Sequence, residues 1–211
     1  MAADPDGALR VFTQASDYVR RAGLYTEVEW QRRTALEAFT ETELLREAAW
    51  VILCSGFREA TVRRYFDHIS LCFCDWESAS SIVDAGPACK LAARSAIGNE
   101  AKLNAIVGVA TLVERVGFPT FKQAIVADPI NELRRLPFIG SITVWHLAKN
   151  LGLNTAKPDR HLVRLSERLG FADAFAFCNA VAEAVGEEPK VVDLIVRRFL
   201  ADNSSLRKEW S

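Results

Sequence analysis

The sequence lacks the features that mark a secreted or membrane protein. Residues 1–7 carry two aspartates where a signal peptide would carry basic residues. No apolar run approaches the roughly 18 residues that a membrane-spanning helix requires. We therefore expect an intracellular protein that makes no membrane contact.

The sequence lacks the cysteine spacing of a disulfide framework or a metal site. The chain has five cysteines, of which Cys72 and Cys74 are the only close pair, and it contains no C-x-x-C motif. An odd number of cysteines in an intracellular chain favours buried, reduced thiols. We expect no iron–sulfur cluster.

Sustained strand alternation is absent as well. Apolar residues recur at helical spacing through most of the chain, and glycine and proline divide it into segments of roughly 8 to 18 residues. Polar residues are placed to cap several helix starts, namely Thr40 with Glu43, Asp128 and Asp173. The pattern predicts an all-α fold of about a dozen short helices, with a central buried helix over about residues 42–54.

Net charge gives no sign of a nucleic-acid partner, but the local balance departs from the average. The chain has 26 basic and 27 acidic residues, a net charge of −1. Residues 1–50 carry six bases against nine acids, whereas residues 131–168 carry seven bases against three acids. The second segment is a candidate basic face for a polyanion, although a solvated helix face would also account for it.

The most informative segment begins at residue 131. A short helix should end at Leu136, Pro137 should force a turn, and Gly140 permits backbone conformations that other residues resist before a second helix starts at Ser141. This is a helix-hairpin-helix pattern, whose unpaired N–H groups suit a phosphate. An ordinary connection between two antiparallel helices is the alternative.

The hairpin sequence Leu136-Pro-Phe-Ile-Gly-Ser-Ile-Thr is followed by Asp159, seventeen residues after Ile142. Together they resemble the signature of the helix-hairpin-helix (HhH-GPD) DNA glycosylase superfamily, which includes endonuclease III and the adenine mismatch, 8-oxoguanine and alkylpurine glycosylases. Residues 50–62 are similar to the family's helix and loop that enter the lesion gap, and residues 98–106 to its glycine-then-Lys-Ala-Ile segment. The resemblance covers about residues 42–169.

The resemblance implies a two-lobed all-α fold with the active site between the lobes. A six-helix lobe of about residues 38–152 would carry the hairpin, and residues 1–37 and 153–211 would form the second lobe. The implied partner is double-stranded DNA with a damaged, modified or mismatched base. We expect a monomer in the cytoplasm, associated with the nucleoid in a bacterium.

Asp159 also suits glycosidic bond cleavage on chemical grounds. Breaking the bond builds positive charge on the sugar, and a carboxylate beside the anomeric carbon stabilises that charge and polarises an attacking water. Pro158 disfavours helix at Lys157, so Asp159 should stand at a helix start, where the dipole keeps it ionised. The alternative is an aspartate that only caps the helix.

Ile142 stands where family members that also cut the DNA backbone carry a nucleophilic lysine. The resemblance therefore implies a monofunctional glycosylase without lyase activity, unless Lys149 or Lys157 substitutes. Alkylated purines rank first as substrates, while oxidised, deaminated, mismatched (thymine or uracil) and phage-type modified bases stay open. A non-catalytic helix-hairpin-helix DNA-binding protein is the alternative from another class.

Base-pocket residues follow from the same resemblance. His146 lies one helical turn after Ile142, so both should face the pocket for an extruded base, where a neutral histidine could hydrogen-bond or protonate the departing base. Tyr25, Trp30 and Trp50 are candidate stacking surfaces. A lone histidine and aromatic residues at helical spacing are also typical of a core.

Several residues are expected at the DNA. Phe57 and Arg58, in the loop after Gly56, are placed to fill the vacated base stack. Phe138 stands where the family usually has its first glycine, which adds an apolar contact where relatives make a backbone contact. The expected DNA-binding residues of the hairpin and the following helix are Pro137, Phe138, Gly140, Ser141, Thr143 and Arg160.

Hairpin carbonyls bind a monovalent cation in relatives. The resemblance places such an ion, Na⁺ or K⁺, at the backbone carbonyls of Arg134, Leu136 and Ile139. No other cofactor is expected.

Overall fold

The structure is a computed structural model that describes residues 2–202. Within that range it contains thirteen α-helices and one short 3-10 turn (Cys74–Trp76) and no strand, which confirms the all-α prediction. No helix in this range is long and apolar enough to cross a membrane. In chain order the helices are α1 (Pro5–Arg21), α2 (Tyr25–Arg33), α3 (Glu41–Cys54), α4 (Glu59–Cys72), α5 (Ala79–Asp84), α6 (Gly86–Ala93), α7 (Glu100–Val116), α8 (Phe118–Ala127), α9 (Pro129–Leu133), α10 (Thr143–Asn150), α11 (Arg160–Arg168), α12 (Ala174–Val185) and α13 (Pro189–Asp202).

The helices group into two compact units. Residues 36–151 form the first, which we call the middle unit. Residues 2–35 and 152–202 form the second, which we call the terminal unit. Residues 203–211 of the predicted second lobe lie outside the described residues. The lobes implied by the family resemblance have their divisions at residues 38 and 152.

Helix α3 is the central helix of the middle unit. It begins at a complete capping box, in which the Thr40 hydroxyl accepts the Glu43 N–H at 3.2 Å and the Glu43 carboxylate accepts the Thr40 N–H at 2.7 Å. Most of its side chains from Leu44 to Leu53 are buried, and it packs against α7 and α10. The predicted central helix is thus confirmed, and its last turn leads directly into the loop that carries Phe57.

Helix α13 organises the core of the terminal unit. It packs against α1, α2, α11 and α12, and its buried side chains include Val192 and Val196. Leu162 and Leu165 of α11 are fully buried in the same cluster. The apolar face of α11 therefore fixes the helix whose N-terminal flank is Asp159.

The cysteines differ partly from expectation. No disulfide forms among the described residues, which include all five cysteines. Cys89 and Cys178 are buried as predicted. The prediction is wrong for Cys54, Cys72 and Cys74, which are partly exposed because they lie at helix ends or in the turn that follows.

Candidate functional site

The hairpin has a longer connection between its helices than the sequence suggested. Helix α9 ends at Leu133 and α10 begins at Thr143, rather than at Leu136 and Ser141. The Leu136 N–H donates to the Leu133 carbonyl at 3.2 Å, so residues 134–136 form a turn instead of a continued helix. Pro137 packs against Gly108 of α7, where an added Cβ would lie only 3.1 Å from the proline Cγ.

The left-handed residue of the hairpin is Phe138 and not Gly140. Phe138 has a φ of 65°, whereas the φ of Gly140 is negative. A Cβ at Gly140 would find its nearest neighbour, the Thr143 hydroxyl oxygen, at 3.9 Å. The prediction that Gly140 supplies an unusual backbone conformation is therefore wrong. A bulky residue in the left-handed region is strained, and Phe138 is also 48% exposed.

The N-terminus of α10 is open to solvent. No side chain caps it at Ile142, and Ser141 and Ile142 are both exposed. Within residues 2–202 the N–H groups of Ser141 and Ile142 donate to no backbone or side-chain acceptor. The Gly140 N–H donates to the Thr143 hydroxyl at 2.7 Å. Two backbone donors thus stand free beside Gly140, as an anion site requires.

The basic segment presents most of its basic side chains at the surface. Lys149 is fully buried, and Arg135 pairs with Glu132. Arg134, Arg160, Arg164 and Arg168 are exposed. The exposed positive charge of residues 131–168 is therefore shared between the middle unit, which holds Arg134, and the terminal unit, which holds the other three arginines.

The predicted cation carbonyls lie in the turn between α9 and α10. The Leu136 carbonyl accepts the Ile139 N–H at 3.2 Å, which closes the turn and uses one of its two lone pairs. The other lone pair of the Leu136 carbonyl oxygen remains for a cation, so this carbonyl fits the predicted ion. The cation at Arg134, Leu136 and Ile139 stays a prediction.

The predicted wedge residues occupy the short loop between α3 and α4, residues 55–58, which we call the wedge loop. Gly56 has a φ of 88°, a conformation that favours glycine, and it turns the chain away from α3. Phe57 is partly buried and Arg58 is exposed at the start of α4, where its side chain makes no cap. The loop therefore offers one supported aromatic side chain next to one solvated cation.

Lys102 of α7 lies beneath this loop and was not predicted as a site residue. It is 4% exposed, and its ammonium donates to the backbone carbonyls of Ile52, Leu53 and Ser55. Burial lowers the pKa of Lys102. The segment 98–106 that resembles the family contains this lysine, but the pattern does not show which carbonyls it reaches.

Asp159 is held at the start of α11 by a tight turn. Its N–H donates to the Lys157 carbonyl at 2.7 Å around Pro158, and its Oδ1 accepts the N–H groups of His161 and Leu162 at 2.9 and 3.0 Å. Within residues 2–202 its Oδ2 accepts no hydrogen bond. Asp159 thus caps the helix with Oδ1 alone.

The other aspartate caps provide a comparison. Asp4 and Asp128 also cap through Oδ1, but their Oδ2 atoms are engaged, by Arg10 at 3.7 Å and by the Asn131 amide at 2.8 Å. Asp173 caps α12 through Oδ1 at 2.8 Å from the Ala176 N–H. Asp173 is therefore the matched structural counterpart of Asp159 in the terminal unit.

Asp193 supports the turn before Asp159 and was also missed. Its carboxylate is fully buried, its Oδ1 accepts the Lys157 N–H at 2.9 Å, and its Oδ2 lies 4.0 Å from Arg197 Nε. The available signal was a single acid inside the apolar run Val191-Val-Asp-Leu-Ile-Val. A buried acid in such a run requires partners, and one of them is the backbone next to Pro158.

The predicted base-pocket residues differ in exposure. Ile142 precedes α10 and is 55% exposed, whereas His146 is 5% exposed inside the helix. Tyr25 and Trp30 are exposed on α2. Trp50 is partly buried, with its ring edge-to-face against Phe66 and the Arg63 guanidinium 5.5 Å from its centroid.

A buried carboxyl group lies between α3 and α10. Glu47 accepts a hydrogen bond from the Asn150 amide at 2.8 Å and from Arg46 at 3.0 Å. Burial raises the pKa of the Glu47 carboxyl, while Arg46 and the Asn150 hydrogen bond oppose that rise. Sequence periodicity placed this acid in a helix but gave no reason to expect its burial.

Comparison with known proteins adds nothing to this description. No family model, curated protein or solved structure matches the chain. Any assignment of function therefore depends on the residues themselves.

The predicted site residues are divided between the two units. The middle unit holds the hairpin, the wedge loop, Trp50 and His146, and Lys102 contacts both the wedge loop and the hairpin through Phe57 and Phe138. The terminal unit holds Tyr25, Trp30, Asp159 and Arg160. Among residues 2–202, no group of three or more His, Cys, Asp or Glu side chains is placed to hold a metal ion.

Proposed function

We propose that this protein is a monofunctional DNA glycosylase with the two-lobed helix-hairpin-helix fold, which extrudes a modified or mismatched base from duplex DNA and hydrolyses its N-glycosidic bond. Alkylated purines are the first substrates to test. Oxidised, deaminated, mismatched and phage-type modified bases follow. The residue that performs the chemistry is Asp159.

The observation that carries the proposal is that only one of the two carboxylate oxygens of Asp159 is used to cap α11. Oδ1 is fixed by two backbone N–H groups, while Oδ2 accepts no hydrogen bond from the described residues. The tight turn at Pro158 and the buried Asp193 hold the backbone on the N-terminal side. A preoriented carboxylate loses little free energy to reorganisation when positive charge develops beside it.

The reaction is a hydrolysis in which Asp159 stabilises charge and accepts a proton. The C1′–N bond breaks and its electron pair leaves with the base, so the sugar becomes oxocarbenium-like. A water oxygen forms the new bond to C1′, and one water proton passes to Oδ2 of Asp159 and then to solvent. A cationic alkylated purine leaves as a neutral base and needs no proton from the protein.

The hairpin supplies the DNA contacts in this proposal. The free N–H groups of Ser141 and Ile142 beside Gly140 suit a phosphate oxygen, and the exposed Phe138 ring adds an apolar contact. Ile142 has no amine to attack the sugar, which supports hydrolysis without cleavage of the DNA backbone.

The test uses the fact that asparagine caps a helix as well as aspartate does. Asp159→Asn should therefore change the free energy of unfolding by less than about 0.5 kcal/mol, whereas Asp159→Ala should lower it by about 1 kcal/mol. Single-turnover base excision, scored as abasic sites on a panel of duplexes, should fall by roughly 10²- to 10³-fold in Asp159→Asn. Asp173→Asn removes the matched carboxylate of α12 and should retain excision.

A protein that only binds DNA would behave differently. It would bind DNA but produce no abasic site from any duplex in the panel. Full excision by Asp159→Asn would also refute the assignment of Asp159.

A further inference from the structure

Lys102 joins two loops that are far apart in the sequence. Its ammonium binds the carbonyls of Ile52 and Leu53 in the last turn of α3 and that of Ser55, the first residue of the wedge loop. The same nitrogen lies 5.1 Å from the ring centroid of Phe57 and 5.5 Å from that of Phe138. One buried cation therefore supports an aromatic residue from the wedge loop and another from the hairpin.

Both aromatic residues lie at or next to a residue with a left-handed backbone conformation. Phe138 holds a left-handed backbone conformation and is 48% exposed, and Phe57 follows Gly56 with its φ of 88°. Folding stability alone favours neither the strain at Phe138 nor the exposure of its ring. Contacts made with a partner would give both features a use.

Lys122 makes the same two kinds of contact, to a backbone carbonyl and to an aromatic ring, but within the core. Its ammonium donates to the Phe39 carbonyl at 2.7 Å and lies 5.1 Å from the centroid of the Phe39 ring. Phe39 is buried, and both contacts go to one residue. Lys102 differs because its rings belong to two separate loops.

We propose that Lys102 is a positioning residue for duplex opening, which sets Phe57 and Phe138 as one aromatic pair that enters the DNA together. This inference rests on the proposed function for the identity of the partner, duplex DNA. Removing the ammonium releases the end of α3 and both rings at once. The rings of Phe57 and Phe138 are then no longer held in fixed positions relative to each other, although each loop still carries its aromatic residue.

The first experiment needs no DNA. Hydrogen exchange measured by mass spectrometry should show faster exchange in Lys102→Met than in the wild type at the hydrogen-bonded amides of the two loops, those of Ser55 in one and of Ile139 and Gly140 in the other. Lys122→Met is the matched control and should leave exchange in both loops unchanged. Faster exchange in only one loop, or in neither, would overturn the proposal.

The second experiment measures opening without excision. A duplex with 2-aminopurine next to a tetrahydrofuran abasic analogue reports unstacking by a rise in fluorescence. At saturating protein, Lys102→Met should reduce that rise by roughly fivefold or more, and Lys122→Met should not reduce it. An unchanged rise in Lys102→Met, or no rise with the wild type, would overturn the proposal. A wild-type rise without base release from any duplex would instead refute only the glycosylase function.

A second set of variants covers the case in which Lys102→Met does not fold. Phe57→Leu and Phe138→Leu leave Lys102 in place. If the rings act as one pair, each single variant should lose most of the fluorescence rise, and the double variant should lose little more. Independent, additive losses would overturn the proposal.

Discussion

The substitution Gly140→Ala tests the phosphate site with little disturbance of the fold. Gly140 has a negative φ, and the nearest atom to an added Cβ would be the Thr143 hydroxyl oxygen at 3.9 Å. The methyl group therefore meets no steric obstacle in the free protein. Because alanine restricts the unfolded chain more than glycine does, the free energy of unfolding should stay the same or rise by about 0.4–1 kcal/mol.

The same methyl group should weaken DNA binding. It would stand between the free N–H groups of Ser141 and Ile142 and an approaching phosphate. A hydrogen bond to a charged group contributes about 1.5–3 kcal/mol, so the loss of one such bond lowers affinity by roughly 10- to 100-fold. Fluorescence anisotropy with a labelled duplex at fixed salt measures this change, and urea unfolding measures stability.

Gly98→Ala is the matched control for this prediction. Gly98 is exposed in the same unit, its φ is also negative, and an added Cβ would meet no atom within 4 Å. This variant should bind DNA as tightly as the wild type. Equal affinity for Gly140→Ala and Gly98→Ala would refute a phosphate site beside Gly140.

Three further predictions concern Glu47, Asp193 and Ile142. The folded protein binds the Glu47 proton more tightly than the unfolded chain does, so the free energy of unfolding should fall as pH rises from about 4.3 through the raised pKa of Glu47. In urea unfolding, Glu47→Gln should reduce this dependence of the free energy of unfolding on pH, and an unchanged dependence would contradict the reasoning. Asp193→Ala leaves the Lys157 N–H without its acceptor and should lower the free energy of unfolding by about 1–3 kcal/mol, whereas a negligible loss would show that the bond does not stabilise the turn. Because Ile142 has no amine, borohydride should trap no covalent protein–DNA adduct, and an adduct would show lyase chemistry.

Helix starts could be predicted where the capping side chains lie close to the helix start in the sequence. Thr40 with Glu43, Asp128 and Asp173 all cap the helices expected of them, because capping depends on side chains within three residues of the helix start. Asp159 caps α11 for the same reason. Local chemistry of this kind is visible in the sequence.

Features that depend on distant partners could not be predicted. Lys102 meets carbonyls about fifty residues earlier in the chain, and Asp193 meets the Lys157 N–H from a helix 36 residues later. Periodicity does not show which charged side chains will be buried by such contacts. The hairpin conformation was also missed, because the presence of Gly140 suggested the wrong position for the left-handed residue, which is Phe138.

The most direct test of the central claim is the detection of released base by mass spectrometry. Purified protein in excess is incubated with duplexes that each carry one alkylated, oxidised, deaminated or mismatched base. The proposed function predicts a free base from at least one duplex, with the DNA strand intact until alkali is added. Absence of free base from every duplex, or release of the base only with strand cleavage before alkali, would contradict it.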